Sequence, residues 1–308
     1  MRPLRIVVLG GTGFVGSHLV PRLQRDGHAI TVLSRNREQH RELGVLPRVS
    51  VVNADVHDLD SLGRHLADAD AAINLVGILN ERGSSGRGFH RAHVELADTL
   101  IAACTAAGVP RLLQMSALRA GEGGSFYLKT RGEAELRVQA SPLAWTILRP
   151  SVIFGDRDGL FFRFARVLRM TPVLPLARAH ATFAPVHVGD VAEAFARALV
   201  HPHTQRRVYE LAGPRTIELV ELVRWTARMI DRRRLVIPLP DALGYLQAWA
   251  GEWLPGKPFS RDNFRSLELD SVARENGLAA LGIVATPMEL VMPALLGGND
   301  RQRRLDRF

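Results

Sequence analysis

Short apolar segments alternate with amphipathic segments through the first half of the chain. The apolar segments have the length and composition of strands buried on both faces, and they cover residues 4–10, 29–35, 49–56, 71–77, 111–117 and 144–155. Apolar residues three and four positions apart predict helices over 14–27, 60–69, 88–107 and 127–141. Because strands that alternate with helices form parallel sheets covered on both faces, the pattern predicts an α/β fold with a doubly wound parallel sheet.

The alternation loosens beyond about residue 156. A helix is predicted over 190–200, with Asp190 at its N-cap and Glu193 completing a capping box. A strand over 207–213 and a helix over 218–230 follow. We therefore expect residues 1–156 to form the core of the sheet. Residues 157–308 would hold the remainder of the sheet and a smaller C-terminal α/β lobe, within one continuous structural unit.

One later segment, residues 241–254, combines helical periodicity with two tryptophans. Its apolar side chains, Leu243, Leu246, Trp249 and Trp253, fall on one stripe. Such a stripe most often packs into the core, and that is our expectation. The alternative is a docking surface for a protein partner or a membrane interface.

Composition narrows the classes of function. The chain has 308 residues, 46% of them apolar, and a formal net charge of +9 carried mostly by arginine. We expect no nucleic-acid partner, because the charge is scattered and no stacking-aromatic or groove-reading motif accompanies it. The positive charge favours an anionic cofactor, and an anionic membrane surface or acidic partner. No histidine shows metal-ligand spacing, so no metal site is expected.

The single cysteine and the apolar stretches of the chain indicate in which cellular compartment the protein works. Cys104, the single cysteine, excludes an intrachain disulfide, suits a reducing compartment and is expected to be a small buried residue. The N-terminal apolar run is short and broken by glycines, so no signal peptide is predicted. The longest apolar stretch contains Glu289 and two prolines and does not resemble a membrane span. We expect a cytoplasmic protein, or one peripheral at the cytoplasmic face of the inner membrane.

A glycine-rich turn follows the first predicted strand and opens the first predicted helix. Gly10, Gly13 and Gly16 allow a tight turn, a close approach of a pyrophosphate to the backbone, and close packing of helix on strand. Phosphate oxygens would then meet the free N–H groups and positive end of the helix. The turn predicts nucleotide binding, and its members are Gly10, Thr12, Gly13, Phe14, Val15 and Gly16.

The residues at the end of the second predicted strand indicate whether the site prefers NAD or NADP. A site selective for NAD would place Asp or Glu there, whereas this chain has Ser34, Arg35 and Arg37. A guanidinium binds a 2′-phosphate in forked geometry, so NADP(H) is the preferred prediction and NAD(H) the alternative. We expect the adenine beside the end of the third strand, at Asp55 and Val56, and its ribose beside the end of the fourth, at Leu75 to Gly77. The alternative is that these residues have no role in binding, because polar residues are common at strand ends.

The chain resembles an atypical or extended short-chain dehydrogenase/reductase of the NAD-dependent epimerase/dehydratase superfamily. The residues that carry this are "GGTGFVG", "NLVG", "MSA", Tyr127, "LRPSVIFG" and "PVHVGDVAEAF". More narrowly, "NLVGIL", "FHRAHVE", "PRLLQMSAL" and "LQAWAGEWLPGKPFSRDN" resemble bacterial relatives of the NAD(P)H-binding accessory subunit of respiratory complex I. The resemblance spans nearly the whole chain. It implies a Rossmann-type fold and a bound NADP(H) that is structural or sensory; relatives are also linked to ubiquinone synthesis.

The same resemblance locates a proton-transfer site with one substitution. Active members of the superfamily use a serine, a tyrosine and a lysine four residues after the tyrosine. Ser116 and Tyr127 match, but position 131 is Arg, and Lys129 points about 200 degrees around the helix from Tyr127. A tyrosine hydroxyl has a pKa of about 10 and needs a nearby cation to exchange its proton at neutral pH. Arginine supplies charge but is permanently protonated, so it cannot join a relay.

Two hypotheses follow for function. Ser116 and Tyr127 either bind the nicotinamide without turnover, or Ser116 polarises a carbonyl, Tyr127 donates the proton and Arg131 tunes it. The family segment beside the nicotinamide corresponds to Arg149, Pro150 and Ser151. We favour a binding subunit or assembly factor of a respiratory complex I or ubiquinone-synthesis membrane assembly. The alternative is an NADP-dependent oxidoreductase or epimerase acting on a small carbonyl or sugar-nucleotide substrate.

Overall fold

A parallel sheet of seven strands forms the centre of the protein, in the computed structural model that describes residues 2–156, 159–255 and 257–305. The strands in this sheet are β1 (Arg5–Leu9), β2 (Ala29–Ser34), β3 (Val49–Asn53), β4 (Ala71–Asn74), β5 (Arg111–Met115), β6 (Ala144–Pro150) and β11 (Arg207–Leu211). Their spatial order is β11-β6-β5-β4-β1-β2-β3. The predicted fold class, a Rossmann-type doubly wound parallel sheet, is confirmed.

Helices cover both faces of the sheet. They are α1 (Phe14–Arg25), α2 (Arg41–Gly44), α3 (Leu59–Leu66), α4 (Arg87–His90), α5 (Leu96–Ala107), α6 (Phe126–Ala140) and α8 (Val188–Val200), the last of which packs beside α1. A π-helical stretch, Arg91–Glu95, joins α4 to α5. Because both faces are covered, strands such as β1 are apolar at nearly every position: Ile6 to Leu9 are all buried.

The C-terminal lobe is built from short strand pairs and helices. The pairs are β7 (Ile153–Phe154) with β10 (Val186–His187), β9 (Thr182–Phe183) with β12 (Ile217–Glu218), and β8 (Val173–Leu176) with β13 (Leu235–Pro238). The helices are α7 (Phe161–Met170), α9 (Leu219–Met229), α10 (Asp241–Gly251), α11 (Arg261–Ser266), α12 (Gly277–Ala280) and α13 (Met288–Leu305). A second apolar core, with Phe154, Phe161 and Leu222 at its centre, holds α7, α9 and α13 together.

Two local predictions are wrong. The predicted sixth strand is not continuous: β6 stays in the central sheet, while β7 leaves it to pair with β10. The predicted capping box is also absent, because α8 begins two residues earlier, at Val188. The Asp190 carboxylate instead accepts hydrogen bonds from the backbone N–H and hydroxyl of Thr286, at 2.7 and 2.8 Å. A partner 96 residues away has replaced the local one.

The apolar stripe on α10 and on the turn that follows it, which carries Trp253, does not pack into the core. The exposed fractions of Leu243, Leu246, Trp249 and Trp253 are 51%, 54%, 45% and 77%. The small residues on the other side of α10, such as Ala248, face the protein instead. Across the described ranges, none of the helices combines the length and apolar character needed to cross a membrane.

Candidate functional site

The glycine turn after β1 is packed so closely that side chains have no room. A Cβ atom at Gly16 would lie 2.4 Å from backbone atoms of Gly11. Gly10 has a φ of +74°, a conformation that favours glycine, and a Cβ there would lie 3.0 Å from the backbone of Leu75 and Val76. The turn therefore brings α1 against β1 and lies directly beside the carboxyl end of β4.

The start of α1 is open to an anion. Gly13 is the N-cap residue, no side chain caps the helix, and its first turn carries no acidic residue. Thr12 and Phe14 are half-buried beside it, and Val15 is buried. Unpaired N–H groups and the positive helix end favour negative charge at this position. The cradle therefore fits the pyrophosphate of a dinucleotide.

The sheet order creates a crevice at this turn. β1 and β4 are neighbours, and the chain leaves them toward opposite faces of the sheet. The backbone N–H of Val76 is fixed by a 3.1 Å bond to Asn74 Oδ1, and the buried Asn74 amide donates to Gln114. The predicted rim residues Leu75 to Gly77 therefore lie next to the glycine turn, held by a polar pair on β4 and β5.

The ends of β2 and β3 form the outer part of the same edge. Ser34 is buried, and its hydroxyl accepts from the N–H of Asn36 at 3.2 Å. Arg35 is exposed and makes no hydrogen bond or ion pair with the described residues. Arg37, in contrast, pairs with Glu38 at 3.0 Å. Arg35 is thus the free guanidinium at this strand end.

Asp55 and Val56 continue beyond β3. Asp55 is exposed and its carboxylate accepts from the N–H of His57 at 2.9 Å, whereas Val56 is half-buried. The other carboxylate oxygen of Asp55 has no hydrogen-bond partner among the described residues.

Arg131 lies inside the protein, under the fourth and fifth strand ends. Its exposed fraction is 3%, and Nη1 donates to the carbonyls of Met115 at 2.9 Å and Val76 at 3.3 Å. A Cβ atom on Gly77 would lie 1.8 Å from Nη2, so this glycine is required by the guanidinium beneath it. The guanidinium carbon also lies 5.6 Å from the centre of the Tyr127 ring. Arg131 therefore joins β4, β5 and α6 at the rim.

Ser116 and Tyr127 lie at the same edge but are not hydrogen-bonded to each other. Ser116 follows β5, and its buried hydroxyl has no hydrogen-bond partner in the described part of the chain. Tyr127 is half-buried at the start of α6, and no described residue bonds to its phenol. Lys129 is exposed and does not replace Arg131. A hydrogen-bonded relay through serine, tyrosine and cation is not formed among these groups.

The ring of Tyr127 packs against His93, whose own position is fixed by Thr130, and the sequence analysis assigned a role to neither of these residues. His93 is buried, its ring lies 5.7 Å from that of Tyr127 in an edge-on contact, and Nδ1 is 2.8 Å from the hydroxyl of Thr130. Burial, and secondarily the charge of Arg131, lower the pKa of His93 from 6.5 to about 2. The ring is therefore neutral, and the Ile78 N–H donates a long 3.5 Å bond to Nε2.

The family segment at 149–151 is held by protein groups. The Arg149 guanidinium forms a forked pair with the buried carboxylate of Glu135. Pro150 is buried, and Ser151 donates its hydroxyl to the Ser271 carbonyl at 2.7 Å. In this structure Arg149 and Ser151 therefore join the sheet to α6 and to the C-terminal lobe.

A cavity of about 200 Å³ lies beside the start of α6, between the sheet domain and the C-terminal lobe. It is bordered by the loop after β4, by Phe89 and Phe126, and by α11. Glu81, Glu252 and Asp262 line it, but their carboxylates bond to backbone N–H groups or to Arg261. Among the described residues no cluster of His, Cys, Asp and Glu could hold a metal ion.

Comparison with known proteins gives consistent matches. A family model described as NAD(P)H-binding matches residues 10–202. NADH dehydrogenase (ubiquinone) 1 alpha subcomplex subunit 9, mitochondrial, of Rattus norvegicus is 28% identical over 297 residues, 92% of this chain and 77% of the relative. A ceramide reductase of Caulobacter vibrioides is 32% identical over 258 residues, 80% of this chain and 76% of the relative. UDP-glucose 4-epimerase of Thermus thermophilus, in complex with NAD, has a TM-score of 0.66 at 25% identity, over 85% of this chain and 99% of that one.

Proposed function

We propose that this chain, which belongs to the NAD(P)H-binding family, holds a nucleotide as a subunit or assembly factor and is not a turnover enzyme. The bound nucleotide would be NADP(H), in a structural or sensory role. The protein would serve a membrane-associated respiratory or ubiquinone-synthesis assembly, peripheral at the cytoplasmic face of the inner membrane.

The environment of Arg131 is the observation that carries the proposal. A relay needs a cation that approaches the tyrosine oxygen and can share a proton. The Nη1 group of Arg131 donates to two backbone carbonyls, and the guanidinium is packed under Gly77. Its charge is permanent, so it stabilises the rim and the adjacent ring of Tyr127 without exchanging protons.

The size of the neighbouring cavity supports the same proposal. Ligand pockets for drug-sized molecules are typically about 300–1,000 Å³. The cavity beside α6 is about 200 Å³, and the carboxylates that line it are engaged by protein groups. A sugar nucleotide would need this region to open.

Arg35 supports NADP(H) as the nucleotide. It is exposed and has no partner among the described residues at the position where a 2′-phosphate would be recognised. Arg35→Ala should therefore weaken binding of NADPH about tenfold or more and leave NADH nearly unchanged, by titration calorimetry. Arg37→Ala, whose side chain already pairs with Glu38, is the control. Equal losses for both nucleotides would contradict a role in selectivity.

The exposed face of α10 supports a partner on the C-terminal lobe. Leu243, Leu246 and Trp249 form this face, Trp253 follows the end of the helix, and large aromatic side chains of this kind are enriched at protein interfaces. The relative from Rattus norvegicus is, by its name, a subunit of NADH dehydrogenase (ubiquinone). A membrane-associated respiratory assembly is therefore the partner that we propose for this face.

The decisive experiment examines freshly purified tagged protein. Denaturation should release NADP(H) in near-equal amount to protein, cell fractionation should find the protein with inner membranes, and a panel of carbonyl substrates should cause no NADPH consumption. Protein that retains no nucleotide, and shows no heat of binding with NADPH or NADH, would contradict the proposal at its base.

A second function is favoured by one observation. The buried hydroxyl of Ser116 has no partner in the described residues, although buried hydroxyls are normally bonded. A substrate carbonyl could accept from it, and one relative is named a ceramide reductase. The chain would then be an NADP-dependent oxidoreductase or epimerase. NADPH consumption with any carbonyl substrate, abolished in Tyr127→Phe and Ser116→Ala, would establish this alternative.

A further inference from the structure

A short segment of the C-terminal lobe, residues 257–263, contacts both the loop after β4 and the start of α6, where Tyr127 lies. We call it the clamp segment. On one side it holds the loop after β4, residues 79–83. Four side-chain hydrogen bonds make this contact: Lys257 Nζ to the Gly83 carbonyl at 2.7 Å, Asn263 Nδ2 to the Leu79 carbonyl at 3.0 Å, Asn80 Nδ2 to the Lys257 carbonyl at 3.1 Å, and Ser260 Oγ to Asn80 Oδ1 at 2.9 Å.

On its other side the clamp segment holds the start of α6. The two carboxylate oxygens of Asp262 accept from the backbone N–H groups of Phe126 at 2.6 Å and Tyr127 at 3.1 Å. The Ser125 hydroxyl accepts from the N–H of Leu128. Three of the N–H groups that a helix leaves unpaired at its start are thereby satisfied, two of them by a residue about 135 positions away.

A carboxylate at this position also suits the electrostatics of α6. Negative charge near a helix N-terminus is stabilising because the N–H dipoles point toward it. Burial raises the pKa of Asp262, and the two N–H groups act in the opposite direction. The N–H groups at the start of α6 therefore stabilise the ionised carboxylate, and the carboxylate in turn satisfies these N–H groups.

The clamp segment is fixed in turn to α10. Arg261 forms a forked ion pair with Glu252, with Nη2 at 2.9 Å from Oε2. A Cβ atom on Gly251 would lie 2.3 Å from the carbonyl oxygen of Phe259, so the end of α10 and the clamp segment are in close backbone contact. A continuous set of contacts leads from α10 through Asp262 to Tyr127.

We propose that Asp262 is a positioning residue for the nucleotide site, through which the C-terminal lobe sets the affinity for the nicotinamide half of the cofactor. The inference rests on the proposed function, because it takes Tyr127 and Arg131 as the border of that half. The Asp262 carboxylate is engaged by the N–H groups of Phe126 and Tyr127. It acts by holding the first turn of α6 against the loop after β4.

The physical reason is a population effect. A ligand that binds only the ordered arrangement has an apparent affinity reduced by the fraction of molecules in that arrangement. Releasing the start of α6 lowers this fraction. By thermodynamic reciprocity, the nucleotide must also favour the docked clamp segment.

The test compares two ligands on the full-length protein. Asp262→Asn keeps the side-chain size but leaves one acceptor oxygen for two N–H donors. Calorimetry should find NADPH bound about tenfold more weakly, the effect of one such interaction. Adenosine 2′,5′-bisphosphate, which lacks the nicotinamide half, should bind unchanged. Hydrogen exchange should be faster at residues 126–128 in the variant without nucleotide.

The matched control is Asp270→Asn. Asp270 belongs to the same lobe, and its carboxylate accepts from the N–H of Thr182 at 2.9 Å and from no described N–H group of α6. This variant should bind both ligands as the wild type does. Asp262→Asn that binds NADPH within twofold of wild type, or that weakens both ligands equally, would overturn the inference and leave the proposed function intact.

Hydrogen exchange of the wild-type protein, with and without NADPH, tests the same coupling and does not require the variant to fold. Saturating NADPH should slow hydrogen exchange in the clamp segment as well as at residues 126–128. Unchanged exchange in the clamp segment would refute the coupling. A wild-type protein that binds neither ligand would instead overturn the proposed function, and the inference with it.

Discussion

At the scale of single residues, a permanent cation and a neutral histidine lie next to the ring of Tyr127. Arg131 bonds to backbone carbonyls, and His93 bonds to Thr130. The two side chains are buried close enough for the charge of Arg131 to add to the lowering of the pKa of His93. The ring of Tyr127 therefore lies near the guanidinium charge of Arg131 and beside a neutral imidazole.

His93 makes stability dependent on pH. Its pKa falls from 6.5 in the unfolded chain to about 2 in the folded protein, so below pH 6.5 only the unfolded chain takes up this proton. The free energy of unfolding should therefore decrease as pH falls, by about 1.4 kcal/mol per unit once below about pH 6. Urea titrations between about pH 7.5 and 5 measure this. His93→Gln should remove that part of the slope, and an unchanged slope would show that His93 is accessible to protons in the fold.

Gly16 makes the glycine turn sensitive to a single methyl group. Gly16→Ala places a Cβ 2.4 Å from the backbone of Gly11, and overpacking of this kind typically costs about 1–3 kcal/mol. We expect lower thermal stability and loss of NADPH binding. Gly63→Ala on α3 is the control, since a Cβ there meets nothing within 4 Å. If Gly16→Ala bound NADPH like the wild type, the turn would not be the phosphate cradle.

At the scale of elements, α10 presents small residues to the protein and large ones to solvent. Gly244, Ala248 and Gly251 are buried, and Leu243, Leu246 and Trp249 are exposed. The close packing of Gly251 against Phe259 needs a residue without a side chain. The helix is therefore held by close backbone packing and by a small apolar cluster that includes Ala248 and Phe264, and its apolar stripe stays exposed.

The α10 face should matter for association and not for folding. Leu246→Gln is expected to change the free energy of unfolding by no more than about 0.5 kcal/mol, because the side chain is 54% exposed. It should reduce recovery of the protein with inner membranes. Leu136→Gln repeats the substitution at a leucine of α6 that is 67% exposed and should leave recovery unchanged. Equal recovery of both variants would remove α10 from the interface.

At the scale of the whole molecule, nucleotide binding should stabilise both the sheet domain and the C-terminal lobe. A ligand at about 100 times its Kd adds about 2.7 kcal/mol to the free energy of unfolding. NADPH should therefore raise the melting temperature more than the same concentration of NADH, because NADH lacks the 2′-phosphate that Arg35 would bind. Scanning calorimetry measures both. Equal shifts would mean that the site does not distinguish the two nucleotides.

The sequence predicted the family resemblance and the fold class, and both are confirmed. Its local predictions failed where distant residues compete with neighbours. Asp190 bonds to Thr286 instead of capping its helix, and the chain leaves the sheet between β6 and β7 to pair with β10. The α10 stripe was expected in the core, because helical periodicity identifies an apolar face without identifying what covers it.

The order of strands and helices and the glycine turn were determined by the sequence alone, because periodicity and glycine conformation act over a few residues. Tertiary structure alone decided that Arg131 turns inward to the carbonyls of β4 and β5, that His93 supports Tyr127, and that Asp262 caps α6. Each of these contacts joins residues far apart in the chain. Their partners depend on which surfaces the folded sheet and lobe bring together, and no local pattern encodes that.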